Sequence, residues 1–273
     1  MMRLLKRDEM PPLLRAIHDP PKRLYLRGNG PAELLSQPAV AIVGARACSP
    51  YGSHVARLLA REIAAAGVVV VSGLARGIDA EAHRGALEAG GRTIAVLGCG
   101  IDRDYPAAHA SLATRIADEG LLLSEYEAGV APAPWQFPAR NRIIAGLALA
   151  TIVVEARERS GALITADFAL EDGREVFAVP GEITSGLSAG TNALLRLGAT
   201  PLTCAGDVLE SLGLARPQRR SVAADPLLAL LPASVDELVR ATGLDVARIA
   251  TSLAELELAG AVAHGDGVYR PLA

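Results

Sequence analysis

The chain has 273 residues, 51% of them hydrophobic and 21% charged, enough to bury one large core or a large and a small one. No charge-free apolar run approaches a membrane span, and the opening Met1-Met2-Arg-Leu-Leu-Lys-Arg-Asp-Glu9 is too short and charged for a secretory signal. The net charge of −3 does not announce a nucleic-acid binder, but only Lys6 and Lys22 among the 27 basic residues are lysines, so where the arginines fall decides the matter.

In chain order, residues 1–36 read as a Pro-rich lead-in with turns at Asp19-Pro-Pro21 and Arg27-Gly-Asn-Gly30. From Val40 onward short β-rich runs alternate with helical stretches. Val40-Ala-Ile-Val43 reads as a strand meeting Gly44, followed by a helix from Ser53 to Ala66 with Gly67 as its C-terminal cap. Val68-Val-Val-Val71 enters Ser72-Gly73, and after a helix over 81–88 Thr93-Ile-Ala-Val-Leu97 enters Gly98-Cys-Gly100. Then follow helix 109–119, strand 121–123, helix 138–149, strand 152–154, helix 162–171 and strand 176–179. Apolar runs without polar alternation, separated by helices, predict a parallel sheet covered on both faces. The fold class is therefore α/β: an extended Rossmann-like, doubly wound, mostly parallel sheet over residues 37–214.

Residues 215–224 read as a linker and 225–273 as a second, small unit. Ser234 can cap a helix running to Thr242 and stopped by Gly243, and Asp245 can cap the next. A hairpin over 262–270 completes a winged-helix-like pattern. This tail sets Arg240, Arg248 and Arg270 against seven carboxylates, a net −4 that leaves +1 for the rest of the chain. Phosphate affinity needs cations, so the tail reads as a protein-contact module and not as a duplex reader.

In open parallel sheets ligands bind beyond the carboxyl ends of the strands. Those ends read Gly44-Ala-Arg46, Ser72-Gly-Leu-Ala-Arg76, Gly98-Cys-Gly-Ile-Asp-Arg103 and Glu155-Ala-Arg157-Glu-Arg159-Ser-Gly161. Each joins glycine or serine and helix N-terminal amides to at least one arginine, which suits an extended polyanion. Ser49 adds a hydroxyl beside the first exit. Arg76 and Arg157 read equally as ion-pair partners of Asp79, Glu155 or Glu158, whereas Arg46 directly follows a buried strand and reads as a ligand contact. Farther on, Phe137-Pro-Ala-Arg140-Asn141-Arg142 places planar cations beside aromatic rings. That composition suits phosphate and base stacking, although a helix N-terminus with solvated arginines reads the same.

Enzyme motifs are missing. Gly98-Cys-Gly100-Ile-Asp-Arg103 lacks the third glycine of the dinucleotide fingerprint, and there is no G-x-x-x-x-G-K-[ST]. Neither a nucleotide cofactor nor a metal is expected; the five histidines show no zinc spacing. Cys48, Cys99 and Cys204 are widely separated and predict reduced thiols in a cytoplasmic protein.

Taken in series, Val40-Ala-Ile-Val-Gly-Ala-Arg46, Ser49-Pro-Tyr-Gly52, Ser72-Gly-Leu-Ala-Arg-Gly-Ile-Asp79, Phe137-Pro-Ala-Arg-Asn-Arg-Ile-Ile-Ala-Gly146, Ser160-Gly-Ala-Leu-Ile-Thr165 and Val176-Phe-Ala-Val-Pro-Gly181 resemble the DNA-processing protein A (DprA, or Smf) family. The match covers residues 11–212, and the final unit resembles the winged-helix extension of some members. The resemblance implies a non-enzymatic, homodimeric protein that binds single-stranded DNA and loads the RecA recombinase in natural transformation. It implies phosphate contacts from Arg46, Arg140 and Arg142, packing of Phe137 on a base or sugar, and close backbone approach at Gly44, Ser72 and Gly73. Ser49, Arg76, Asn141, Ser160 and Thr165 complete the expected DNA-binding set. One departure stands out: other members carry a lysine before the aromatic of the arginine tract, where this chain has Pro134-Trp-Gln136. The competing reading is a nucleoside-monophosphate hydrolase of the lysine-decarboxylase-like group, whose P-G-G-x-G-T-x-x-E element is replaced here by Ser160-Gly-Ala-Leu-Ile-Thr165.

Overall fold

A computed structural model of the chain describes residues 2–214, 226–258, 261–265 and 267–271, apart from the side chains of residues 255 and 258. The expected linker, 215–224, lies outside the described residues. The chain divides into two compact units, Met1–Pro217 and Gln218–Ala273.

In the first unit the apolar runs become the strands β3 (Ala39–Val43), β4 (Val69–Ser72), β5 (Thr93–Leu97), β6 (Leu121–Ser124), β7 (Ala150–Val153) and β8 (Glu175–Ala178). With β9 (Thr200–Pro201) they are parallel. The lead-in differs from the sequence reading. Two strands, β1 (Met2–Lys6) and β2 (Arg23–Arg27), extend the sheet antiparallel beside β6, giving the order β1-β2-β6-β5-β4-β3-β7-β8-β9. Leu24 and Leu26 of β2 are fully buried, so these residues complete the core and do not merely precede it.

Helices α1 (Pro12–Arg15), α5 (Gln136–Leu147) and α6 (Gly161–Glu171) cover one face, packing on Ala41, Val43, Val71, Val96 and Leu123. The opposite face carries α2 (Pro50–Ala65), α3 (Ile78–Glu88), α4 (Ala110–Glu119) and α8 (Ala205–Ser211) against Val40, Ile42, Val70, Leu97 and Leu122. Successive strand residues point to opposite faces, and both faces are dry, which is why these strands show no polar alternation. A short helix α7 (Ala189–Arg196) precedes β9. Of the apolar segments Leu194-Leu195 and Val208-Leu209, which suit either a partner surface or the core, Leu194, Val208 and Leu209 are buried in the core and Leu195 is half-buried against it.

The second unit holds α9 (Val235–Thr242), α10 (Val246–Leu258) and a hairpin of β10 (Val262–Gly265) and β11 (Val268–Pro271) around its own core of Leu238, Ile249, Leu253, Leu256 and Val262. Ser234 and Glu237 form a reciprocal capping box at the start of α9, and the Asp245 carboxylate accepts from Arg248 N at 2.9 Å before α10. Helix–turn–helix plus hairpin is a winged-helix arrangement.

Candidate nucleic-acid interface

β3 pairs with β4 on one side and β7 on the other, so the sheet reverses direction of growth there. The loops leaving these strands diverge and open a crevice beyond their carboxyl ends. Two adjoining cavities occupy it. The smaller, about 220 Å³, is lined by Gly44 and Arg46 after β3, Ala75 and Asp79 after β4, Phe137, Arg140 and Asn141 of α5, and Ser160, Gly161 and Thr165 at the start of α6. The larger, about 450 Å³, is lined by Arg46, Ala47, Gly73, Ala75, Arg76, Gly98, Tyr105, Pro106, Phe137 and Arg140. Arg46, Ala75, Phe137 and Arg140 belong to both, so the cavities are compartments of one groove.

At the shared wall the Arg46 guanidinium carbon stands 5.3 Å from the Phe137 ring centroid, and Phe137 stacks on Tyr105 with centroids 5.4 Å apart. Neither Arg46 nor Arg76 has a carboxylate within ion-pair distance among the described residues, and both are exposed. Arg157 is likewise unpaired and exposed. Unpaired, solvated cations can take up a phosphate without first breaking an internal contact.

Beneath them Arg140 is only 4% exposed. Its Nη1 donates to the carbonyls of Gly73, at 2.6 Å, and Val96, and its Nε donates to Asn141 Oδ1 at 3.0 Å. A β-carbon at Gly73 would overlap this guanidinium, so glycine is required there to admit the arginine. Burial pulls the Arg140 pKa down to about 10, opposed by the attraction of Asp79, and the group remains a cation at neutral pH. Asp79 accepts from Gly73 N–H at 3.2 Å and Ala75 N–H at 3.4 Å. Burial raises its pKa, while Arg140, those two N–H groups and Arg46 pull it back. The groove floor thus holds Arg140 and Asp79 buried, each engaged by backbone groups, while the rim carries the exposed Arg46 and Arg76.

Comparison with known proteins places this geometry. The family model of DNA recombination-mediator protein A matches residues 2–213, and the DprA winged-helix domain matches residues 215–267. The chain belongs to the DNA recombination-mediator protein A family. It is 45% identical over 267 residues to the putative DNA processing protein DprA of Mycobacterium tuberculosis, covering 91% of this chain and 69% of that protein. The solved structure of DprA from Streptococcus pneumoniae superposes with a TM-score of 0.73 at 45% identity, over 77% of this chain and 74% of that one. DNA processing protein A from Helicobacter pylori, whose structure was described for its single-stranded DNA binding mode, gives a TM-score of 0.71 at 34% identity, over 78% and 95% of the two chains.

In this member of the DprA family, nine of the twelve expected site residues line the groove: Gly44, Arg46, Gly73, Arg76, Phe137, Arg140, Asn141, Ser160 and Thr165. Three do not. Ser72 is fully buried and donates to Ile42 O at 2.6 Å. Ser49 caps α2 and binds Glu155 through both its N–H, at 2.9 Å, and its hydroxyl, beside a separate cavity. Arg142 is spent on Glu125, at 2.8 Å to each carboxylate oxygen, and on Asp19, at 2.9 Å. Gly44 admits a neighbour, not a ligand, since a β-carbon there would stand 2.6 Å from Ile78 Cγ1. Sequence reasoning missed Asp79 and Tyr105 as lining residues. The signal for Tyr105 was an aromatic one strand-exit loop away from Phe137. Trp135, which stands near the departed lysine position, is 64% exposed, lies edge-on to Tyr126 at 6.0 Å, and lines neither compartment.

Proposed function

We propose that this chain is a cytoplasmic, non-enzymatic mediator of recombination that binds single-stranded DNA in the groove between β3, β4 and β7 and, as a homodimer, loads the RecA recombinase onto it during natural transformation. The observation that carries the DNA-binding part is the unpaired Arg46 guanidinium held over Phe137, with Arg76 free on the same rim. A cation for phosphate beside a ring for base or sugar is what sequence-independent single-strand binding needs. The binding mode described for the Helicobacter pylori relative supports the same ligand. Loading of RecA and dimerisation rest on family membership. The non-enzymatic reading is supported by Asp79, the carboxylate among the groove-lining residues, which is buried and holds the Gly73 and Ala75 N–H groups of the β4 exit, a structural task.

Arg46→Ala should weaken oligo-dT binding by about 1.5–3 kcal/mol, the worth of a charge-assisted hydrogen bond. It should also flatten the dependence of log K on log salt by roughly 0.7, one phosphate contact on a single strand. Anisotropy titrations at several salt concentrations check both; unchanged affinity and slope would refute the assignment.

A further inference from the structure

The larger compartment has features that phosphate binding does not explain. It is lined by Tyr105, whose ring stacks on Phe137, by Pro106, Ala47 and Gly98, and by the unpaired Arg76. Tyr105 is 44% exposed, and its hydroxyl has no hydrogen-bond partner among the described residues. An exposed ring is unremarkable on a mobile loop, but this loop is pinned on both sides of it. Before the ring, Asp102 accepts from Gly129 N at 2.9 Å, Arg103 donates to Gly129 O at 3.0 Å, and Asp104 pairs with Arg27 of β2. After it, the Pro106 carbonyl accepts from His109 N at 2.8 Å, and the His109 ring donates to Leu74 O at 3.0 Å, tying the loop to the β4 exit. The ring is therefore held in place before any ligand arrives, and preorganisation of this kind reduces the ordering cost of binding.

Size separates the two compartments. At about 220 Å³ the smaller is below the roughly 300–1,000 Å³ of ordinary small-ligand sites, and Asn141, Ser160 and Thr165 share its lining with Val43, Phe137 and Ile144. At about 450 Å³ the larger is within that range and adds a second aromatic ring, Tyr105, to the Phe137 that both share. We propose that the larger compartment is a nucleobase subsite in which Tyr105 stacks a base of the nucleotide next to the one whose phosphate meets Arg46, with Phe137 and Arg46 as the wall between consecutive nucleotides. The subsite rests on the single-strand reading above. Stacking on tyrosine tolerates any base, so the class of ligand is an unpaired nucleotide of unrestricted sequence. A paired base has its faces covered by its neighbours in the duplex and cannot enter.

Three variants of the full chain test this: Tyr105→Leu, Tyr105→Phe and Arg46→Ala. Leucine keeps an apolar contact for Phe137 but removes the stacking plane; phenylalanine keeps the plane. Against oligo-dT, Tyr105→Leu should bind about tenfold to a hundredfold more weakly with an unchanged salt slope, and Tyr105→Phe should match the parent chain. Against an abasic oligonucleotide of the same length, Tyr105→Leu and the parent should bind alike, because no base is present to stack. The subsite is overturned if Tyr105→Leu binds oligo-dT normally while Arg46→Ala is weakened, an outcome that leaves the single-strand reading standing. It is also overturned if Tyr105→Leu loses as much on the abasic strand, which would make Tyr105 a mere support for Phe137. A parent chain that fails to bind oligo-dT removes both.

Discussion

Arg140 and Arg142 stand two residues apart on one helix, and their guanidinium groups have nothing in common. Two positions at 100° each turn the side chains by about 200°, so one faces the groove and the other the back of the helix. That much was legible in the sequence once the tract was placed on a helix, and it argues against giving both the same ligand. Their partners were not legible, because Glu125 and Asp19 lie 17 and 123 residues away from Arg142. Arg142→Ala should lower stability on the order of 1 kcal/mol, seen as an earlier urea midpoint, and leave the salt slope of oligo-dT binding unchanged. Arg140→Met is a different case. It leaves the Gly73 and Val96 carbonyls without their buried donor, so roughly 1–3 kcal/mol of stability should go with it in a denaturant titration. Any loss of DNA binding by that variant then reports on the fold of the groove and not on a phosphate contact.

At the scale of elements, the central strands were legible because both of their faces are buried, leaving unbroken apolar runs such as Val68-Val-Val-Val71. The antiparallel pair at one margin was not. Met2-Arg-Leu-Leu-Lys6, the outermost strand, and Arg23-Leu-Tyr-Leu-Arg27 beside it both carry charges, and at the open edge charged side chains discourage further pairing. Prolines between them made the stretch look like loop. Helix α3 shows a constraint that no pattern reveals. Its His83 is fully buried, with Nδ1 2.7 Å from Thr93 Oγ1 on β5, and the threonine hydroxyl in turn donates to Val70 O. The imidazole therefore donates through Nδ1, while Nε2 has no partner. Burial, with Arg140 and His109 nearby, pulls its pKa from 6.5 down to about 3. Below pH 6.5 the unfolded chain takes up a proton that the folded chain refuses, so this group's contribution to stability falls as pH falls from about 6.5 to about 3. Lowering the pH from 6.5 to 5 should cost the parent chain about 2 kcal/mol relative to its own value, at 1.4 kcal/mol per unit. Guanidinium titrations of the parent and His83→Asn at both pH values check this; the variant, with no imidazole to protonate, should show a slope smaller by that amount.

At the scale of the whole molecule, charge and core are divided along the same line. Each unit has its own hydrophobic cluster, and the acidic surplus belongs to the second. In a winged helix that reads duplex, the second helix must present cations to phosphate and base edges. The sequence of α10 sets one arginine, Arg248, against two glutamates, so it has no cationic surplus to offer a duplex. Electrostatic attraction supplies essentially all of sequence-independent binding, and this unit lacks it. A chain ending at Pro217 should then bind oligo-dT with at least the affinity of the full chain and the same salt slope, since every phosphate contact inferred above lies in the first unit. Residues 218–273 alone should leave a labelled duplex unshifted in a gel at low salt. A tight, salt-sensitive duplex complex from that fragment would instead make the tail a second DNA reader, and the groove arginines would no longer account for all of the molecule's affinity for nucleic acid.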